Sequence, residues 1–448
     1  MKTQKFPYRS MLLPVLVATL LCLVTAPATT QTAYGQSINS TDLDRGHVML
    51  KSVKETLKSN YYDVTFRGVD VETRFKLADD RIKEAKSNGQ IFAIIAQTLM
   101  DLKDSHTFFL PPSRAAQVEY GWRMQMIGDT CFVVAIKPGS DAEAKGLKPG
   151  DTVISVDGYA PTRENMWVLN YLYHALKPQP GMRVIAQSPG GQPRQLDVAA
   201  EVKAGKKTKD LTDSFEAGDF IRSLQNSSRL NPHRFLEMGE ELMIWKMPDF
   251  DFEEKKVDGI VEKIKRHKAL VLDLRGNGGG YELTLQRLLG HFFDHDVKIG
   301  DIKRRKETKP LVAKTQGNDA YTGKLVVLID SESGSAAELF ARVVQLEKRG
   351  TVIGDRSAGA VMRSRVHAKQ VGLETVVPYA VSITDADVTM TDGQSLENVG
   401  VTPDELLLLS AKELAQQHDS VLSHAAELAG VKLEPGKAGA LFPIEWNK

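Results

Sequence analysis

The chain has 448 residues, 42% of them apolar and 26% charged, with a formal net charge of +1. That length allows two to three domains at about 150 residues each, and it excludes a peptide, a small disulfide scaffold and a disordered chain. The near-neutral balance gives no electrostatic case for nucleic acid, which would call for a strongly basic face.

Residues 1–35 read as a secretory signal peptide. Lys2, Lys5 and Arg9 are the only charges before Asp42. Residues 11–24 are an apolar run in which Thr19 is polar, and Ala26-Pro27-Ala28 and Ala33-Tyr34-Gly35 offer small residues for cleavage. The run falls short of the ~20 residues of a comfortable membrane span. An uncleaved anchor is the alternative; Cys22 has no small residue before it, which argues against lipid attachment. Loss of the leader removes three positive charges and takes the net charge from +1 to −2. The expected location is the periplasm or the extracellular medium, without membrane contact once the leader is removed. Only Cys131 then remains, so no internal disulfide can form. It lies in a run, residues 130–134, that reads as a buried strand with an inert core thiol.

Residues 36–115 are expected to be a helical region. Val48, Leu50, Val53 and Leu57 recur at helical spacing, as do Phe92, Ile95 and Leu99, and Pro111-Pro112 ends the region. Residues 116–203 change to short β-rich runs punctuated by Gly139, Gly146, Pro149-Gly150 and Asp157-Gly158. A polar, basic stretch from Lys203 then opens a linker or exposed loop, placed over residues 204–240. Across residues 241–410 strands alternate with helices: strands at 242–246, 269–274 and 325–330, helices at 252–266, 282–293 and 336–347. Such alternation predicts an α/β core on a mixed, largely parallel sheet, and with it a multidomain α/β fold. Residues 411–448 are expected to hold one amphipathic helix, at 411–429, and a tail.

Four blocks carry chemistry. Residues 271–280 run from a buried strand into Gly276-Asn277-Gly278-Gly279-Gly280, a turn whose N–H groups can face an anion because no Cβ blocks the approach. The plain alternative is a tight turn. A phosphate loop lacks its Gly-Lys-Ser/Thr ending. Next, Ser335 stands at the start of a predicted helix between Gly334 and Ala336. The helix's positive end favours a developing oxyanion, yet Ser335 followed by Glu338 is also a capping box that needs no catalysis to explain it. Third, His106 in Asp104-Ser105-His106-Thr107 sits at a helix-to-strand boundary. A serine nucleophile needs such a base, although a lone histidine there is more often structural. Most of the ten histidines, including His267 and His418, read as surface residues. Fourth, Glu397 precedes a turn fixed by Gly400 and Pro403; it can orient an imidazole or be an ordinary solvated glutamate.

In this order the blocks resemble the tail-specific, or carboxyl-terminal processing, serine proteases, and within them the branch of the tricorn protease core and the retinoid-binding repeats. The matching stretches are Asp104-Ser105-His106-Thr107, Asp273-Leu274-Arg275-x-Asn277-x-Gly279-Gly280, Ser335-Ala336-Ala337-Glu338, Gly354-Asp355-Arg356-Ser357-Ala358-Gly359 and Glu397-Asn398-x-Gly400-Val401-x-Pro403-Asp404. Residues 120–202 resemble a PDZ domain, with Gly146-Leu147-Lys148-Pro149-Gly150-Asp151 as its core run. The resemblance implies an α/β serine protease core over residues 241–410 and a PDZ-like domain over 116–203. It implies a Ser335 nucleophile, a His106 base, Glu397 with Ser105 to fix the imidazole, and an oxyanion hole from Gly279 and Ala336, with Gly278 the alternative to Gly279. Tyr120, Gly121 and Trp122 would form the loop that receives a substrate's C-terminal carboxylate, and the alternative is a β unit that only braces the core. The serine/lysine branch carries a lysine where this chain has Ala360. That excludes a dyad through this position, and Lys369 would need a different geometry. Polypeptides are the implied partners, and neither metal nor organic cofactor is implied. The rival readings are an apolar-ligand-binding protein and an inactive PDZ scaffold on the same fold.

Overall fold

The computed structural model describes residues 38–112, 116–204, 233–372 and 376–446; the leader and most of the expected linker lie outside them. Helices Ser40–Asn60, Val71–Lys83 and Asn88–Met100 open the described chain. Each starts at a side-chain cap, with Asn39, Asp70 and Ser87 accepting from the N–H of Asp42, Thr73 and Gln90. Leu50, Val53 and Leu57 point inward as expected, whereas Val48 is 53% exposed. Residues two apart do not share a helix face, so Val48 could not follow Leu50. These helices share a core with Phe109, Tyr379 and Val381. They thereby cover an antiparallel sheet ordered Phe108–Leu110, Val377–Met390, Val297–Lys303, Thr308–Ala313, with Met362–Val371 also paired to Val377–Met390.

A second sheet is ordered Glu405–Leu406, Thr351–Gly354, Lys324–Ile329, Ala269–Asp273, Leu242–Lys246, Arg234–Met238. Every neighbouring pair is parallel except the last, giving the mixed, largely parallel sheet that the alternation predicts. Strand side chains alternate between faces. Met243, Trp245, Leu270, Leu272 and Val327 pack with helices Glu254–Ile264, Glu282–Gly290 and Ala336–Leu346. Leu242, Ile244, Val271, Val326 and Leu328 pack with Ser420–Leu428 and Pro435–Ala440. Burial on both faces is why these strands read as unbroken apolar runs. Each such side chain contributes about 1.5–3 kcal/mol on leaving water.

Several boundaries move. Residues 234–238, expected in the linker, form the antiparallel edge strand. The one C-terminal helix is two, Ala411–Gln416 and Ser420–Leu428, because Gln417 is left-handed at φ 54° and Asp419 caps the next helix. His267 is buried rather than on the surface.

Residues 122–199 form a five-stranded antiparallel sheet, in the order Trp122–Ile127, Thr130–Ile136, Thr152–Val156, Gly181–Gln187, Arg194–Ala199. Its core holds Val133, Val153, Val184 and Val198. Cys131 is buried in it, and burial pushes its thiol up to about 12, consistent with an unreactive core residue.

Candidate active site

Two strand-to-helix turns meet at the C-terminal ends of the parallel strands, where open α/β sheets place their ligands. Asp330 accepts from the Gly276 N–H at 2.9 Å, Ser333 Oγ donates to the Leu274 carbonyl at 2.8 Å, and the Gly334 N–H donates to the Asn277 carbonyl at 2.8 Å. The glycine-rich turn and the serine turn are therefore one unit. At its apex Ser335 precedes the helix Ala336–Leu346; Glu338 Oε2 accepts the Ser335 N–H at 3.0 Å, the glutamate half of a capping box, while the Glu338 N–H goes to the Ser335 carbonyl at 3.0 Å. Capping alone does not account for the backbone. Ser335 sits at φ 53°, ψ −118°, whereas the caps Asn39, Ser87 and Ser410 are extended. A non-glycine residue held there costs about 1–3 kcal/mol, and such strain gathers at reactive sites. A strained serine on a sharp strand-to-helix turn is the arrangement of a nucleophile elbow.

Gly279 backs directly onto this serine. It adopts φ +98°, and a Cβ there would lie 2.6 Å from Ser335 Cβ and 3.0 Å from the Ala336 nitrogen. The Gly279 N–H is donated to Asn277 Oδ1 at 2.8 Å, so it can meet an oxyanion only by sharing or releasing that bond. The Ala336 N–H opens its helix and has no acceptor within the helix.

The opposite wall comes from the antiparallel sheet. Asp104 is buried and accepts from the His106 N–H (3.0 Å), the Thr384 hydroxyl (2.6 Å) and the Tyr61 hydroxyl (2.9 Å). It thus fixes the loop before strand Phe108–Leu110. Glu397 accepts from the Ser105 N–H at 2.9 Å and the Ser105 hydroxyl at 2.7 Å, and the same hydroxyl lies 2.8 Å from His106 Nδ1. A hydroxyl has one proton to give. Given to Glu397, it leaves Ser105 Oγ to accept from Nδ1–H, so the Nε2 lone pair is free to act as a base. Burial lowers the His106 pKa below its ordinary value, against an opposing pull from Asp104. Burial also raises the Glu397 carboxyl, against the hydrogen bonds it accepts from Ser105 and the Val361 N–H. Among the described residues no hydrogen bond joins His106 to Ser335.

Ala360 takes the place of a lysine, yet its backbone is engaged: its carbonyl accepts from the Ser335 N–H at 2.9 Å. Lys369 lies on the strand Met362–Val371, paired with Tyr379. At ~3.3 Å per residue it is about 23 Å along an extended chain from Met362, well away from the serine turn. Sequence reasoning missed Asp104 as an anchor and Asn277 as a brace. Their signal was a carboxylate and an amide at the edges of apolar strands, where a buried polar group must be partnered.

Residues 243–407 match the profile of peptidase family S41. The tail-specific protease of Haemophilus influenzae is 27% identical over 312 residues, covering 65% of this chain and 42% of the relative; the chain thus spans less than half of that relative's length. The chloroplastic C-terminal processing peptidase of Tetradesmus obliquus is 24% identical over 374 residues, 77% of this chain and 73% of the relative. The crystal structure of mature CPAF superposes with a TM-score of 0.64 at 15% identity, covering 87% of this chain and 98% of that one, which shows the same fold.

The β-rich unit rests against the loops of the parallel-sheet core. Gln125 donates to Asp330 at 2.6 Å, Gly128 N–H to Asp355 at 2.9 Å, and Arg123 pairs with Glu332 at 3.4 Å. A narrow cavity of about 40 Å³ lies between strand Trp122–Ile127 and the helical turns of residues 166–176, lined by Tyr120, Trp122, Met124, Tyr173, His174 and Glu332 among others. Tyr120 and Trp122 are buried there, and the Trp122 indole N–H has no partner among the described residues. A Cβ at Gly121 would lie 2.5 Å from Ser140 Cβ, at φ +72°, so the packing against Ser140 itself calls for glycine there.

Proposed function

We propose that the protein is an exported serine endopeptidase that hydrolyses peptide bonds of polypeptide substrates. The observation that carries this reading is the Glu397–Ser105–His106 relay, which leaves one imidazole nitrogen basic in a core whose serine turn is strained. Ser335 Oγ attacks the scissile carbonyl as His106 Nε2 takes its proton. His106 then returns that proton to the leaving amine, and water hydrolyses the acyl-enzyme by the same route. Glu397 acts through Ser105 to hold the tautomer and stabilise the imidazolium. Ala336 N–H and Gly279 N–H, or Gly278 in its place, receive the oxyanion. Each donor of this kind is worth about 10²–10³ in rate in known cases. Closing the His106–Ser335 contact is left to substrate binding, since catalytic hydrogen bonds often tighten only in the complex.

The β-rich unit is read as a PDZ-like domain over residues 116–203, whose groove beside Trp122–Ile127 takes a substrate C-terminus. An edge strand, a cavity beside it and an unpartnered indole N–H support this. The names of the relatives agree with substrates handled through their C-termini. Export rests on the leader alone. The test is hydrolysis of an unfolded protein: Ser335→Ala should lose turnover while staying folded. Wild-type turnover in that variant would leave Ser335 as a helix cap only.

A further inference from the structure

Glu338 carries more than a helix cap. It is fully buried, yet its carboxylate accepts four hydrogen bonds. Oε2 shares the Ser335 N–H, at 3.0 Å, with the Ala360 carbonyl and takes the Ala360 N–H at 2.9 Å. Oε1 takes the Ser357 hydroxyl at 2.6 Å and the Gly359 N–H at 2.8 Å. A capping box asks for one of these, the donor at its own N-cap. The other three come from the loop of residues 357–361.

That loop is held on its far side by the segment bearing Glu397. Asn398 N–H donates to the Gly359 carbonyl at 2.7 Å, and Val401 N–H to Ser357 Oγ at 2.6 Å. The peptides of Ala360 and Val361 are split between the two carboxylates. Ala360 N–H goes to Glu338 and Val361 N–H to Glu397, at 3.0 Å. A continuous path therefore runs from the Ser335 backbone through Glu338, Ala360, Val361 and Glu397 to Ser105 and His106. The serine lies on the parallel sheet and the histidine beside the antiparallel one, so their spacing depends on a strut between the two.

We infer that Glu338 is a positioning residue for catalysis, the anchor through which the 357–361 loop sets the spacing between the Ser335 turn and the Glu397–Ser105–His106 relay. This rests on the nucleophile and base assignments proposed above. Where the serine/lysine branch uses this loop to deliver a lysine, this chain uses its backbone as the strut, with Ala360 at the lysine position. Among the described residues no charged partner offsets Glu338; its four donors support the carboxylate. Replacing one oxygen by an amide turns an acceptor into a donor facing N–H groups, which must push the loop away.

The test is Glu338→Gln in the full chain, read by steady-state kinetics and by the rate at which a fluorophosphonate labels Ser335, with thermal midpoint and circular dichroism as controls. A misplacement of ~1 Å in such a site costs about 10²-fold. The variant should fold, keep KM, and lose about that factor in both kcat and labelling rate. A helix-cap role would move the thermal midpoint and leave kcat unchanged. Ser357→Ala removes one donor and keeps the carboxylate; it should lower kcat by a smaller factor at unchanged KM, and it decides the matter if Glu338→Gln does not fold. Folded variants that label and turn over at wild-type rates overturn the positioning role while the nucleophile stands. Failure of the wild-type protein to label at Ser335 overturns the nucleophile assignment, and this inference with it.

Discussion

Gly279→Ala places a methyl group against the serine. The added Cβ would lie 2.6 Å from Ser335 Cβ and 3.0 Å from both the Ala336 nitrogen and the Gly334 carbonyl, from a backbone at φ +98°. Two costs are separable. Holding an L-residue at positive φ costs roughly 1–2 kcal/mol. Overpacking a site that cannot give way costs roughly 1–3 kcal/mol more. Gly317→Ala is the matched control, since it also has positive φ (+64°) but nothing within 4 Å of its Cβ. Chemical denaturation at constant m-value should therefore find Gly279→Ala destabilised by about 2–5 kcal/mol and Gly317→Ala by about 1–2 kcal/mol. Activity should divide more sharply. The methyl can be accommodated only by moving the serine turn, so kcat should drop about 10²-fold or more, while Gly317→Ala keeps wild-type kcat. Equal stability and equal turnover in the two variants would mean that Gly279 does not abut Ser335.

The pH profile follows from the half-buried imidazole. The base must be neutral to act, and burial puts the His106 pKa below its ordinary ~6.5. The kcat/KM should thus be lost as pH falls, with its midpoint below pH ~6.5; an acid limb centred well above neutrality would point to another base. Ser105→Ala removes the hydroxyl that links Glu397 to Nδ1, so kcat should fall substantially. The bound is the ~10⁴-fold loss known when a triad carboxylate is replaced; unchanged kcat would break the relay. For the β-rich unit, one apolar peptide should bind more tightly as the free acid than as the C-terminal amide, measured by fluorescence anisotropy. Equal affinity would mean that the groove beside Trp122 does not read a terminus.

Much of this was legible in the sequence where one physical rule acts alone. The unbroken apolar runs at residues 242–245, 269–272 and 325–329 lie in strands buried on both faces, and their alternation with helices gave the parallel sheet. The capping pair Ser335 and Glu338 was visible as well. What it could not disclose is that Ser335 departs from cap geometry, because a positive φ at serine leaves no mark in residue type. Glu338 looked like half of a cap because its three further donors, Ser357, Gly359 and Ala360, lie about twenty residues on, and two of them bond through the backbone alone. The relay had a similar limit: Ser105 adjoins His106, but Glu397 joins them across 292 residues through a tertiary contact. The C-terminal helix was drawn too long because Gln417 takes a left-handed conformation that sequence favours only weakly outside glycine and asparagine.

Serine peptidase activity here requires Ser335 to be an activated nucleophile. Reaction of the folded protein with a fluorophosphonate, followed by mass spectrometric location of the adduct, measures this directly. Stoichiometric phosphonylation of Ser335, strongly slowed in His106→Ala, is the result expected. A folded wild-type protein that takes up no label, or labels at a different serine, would contradict it.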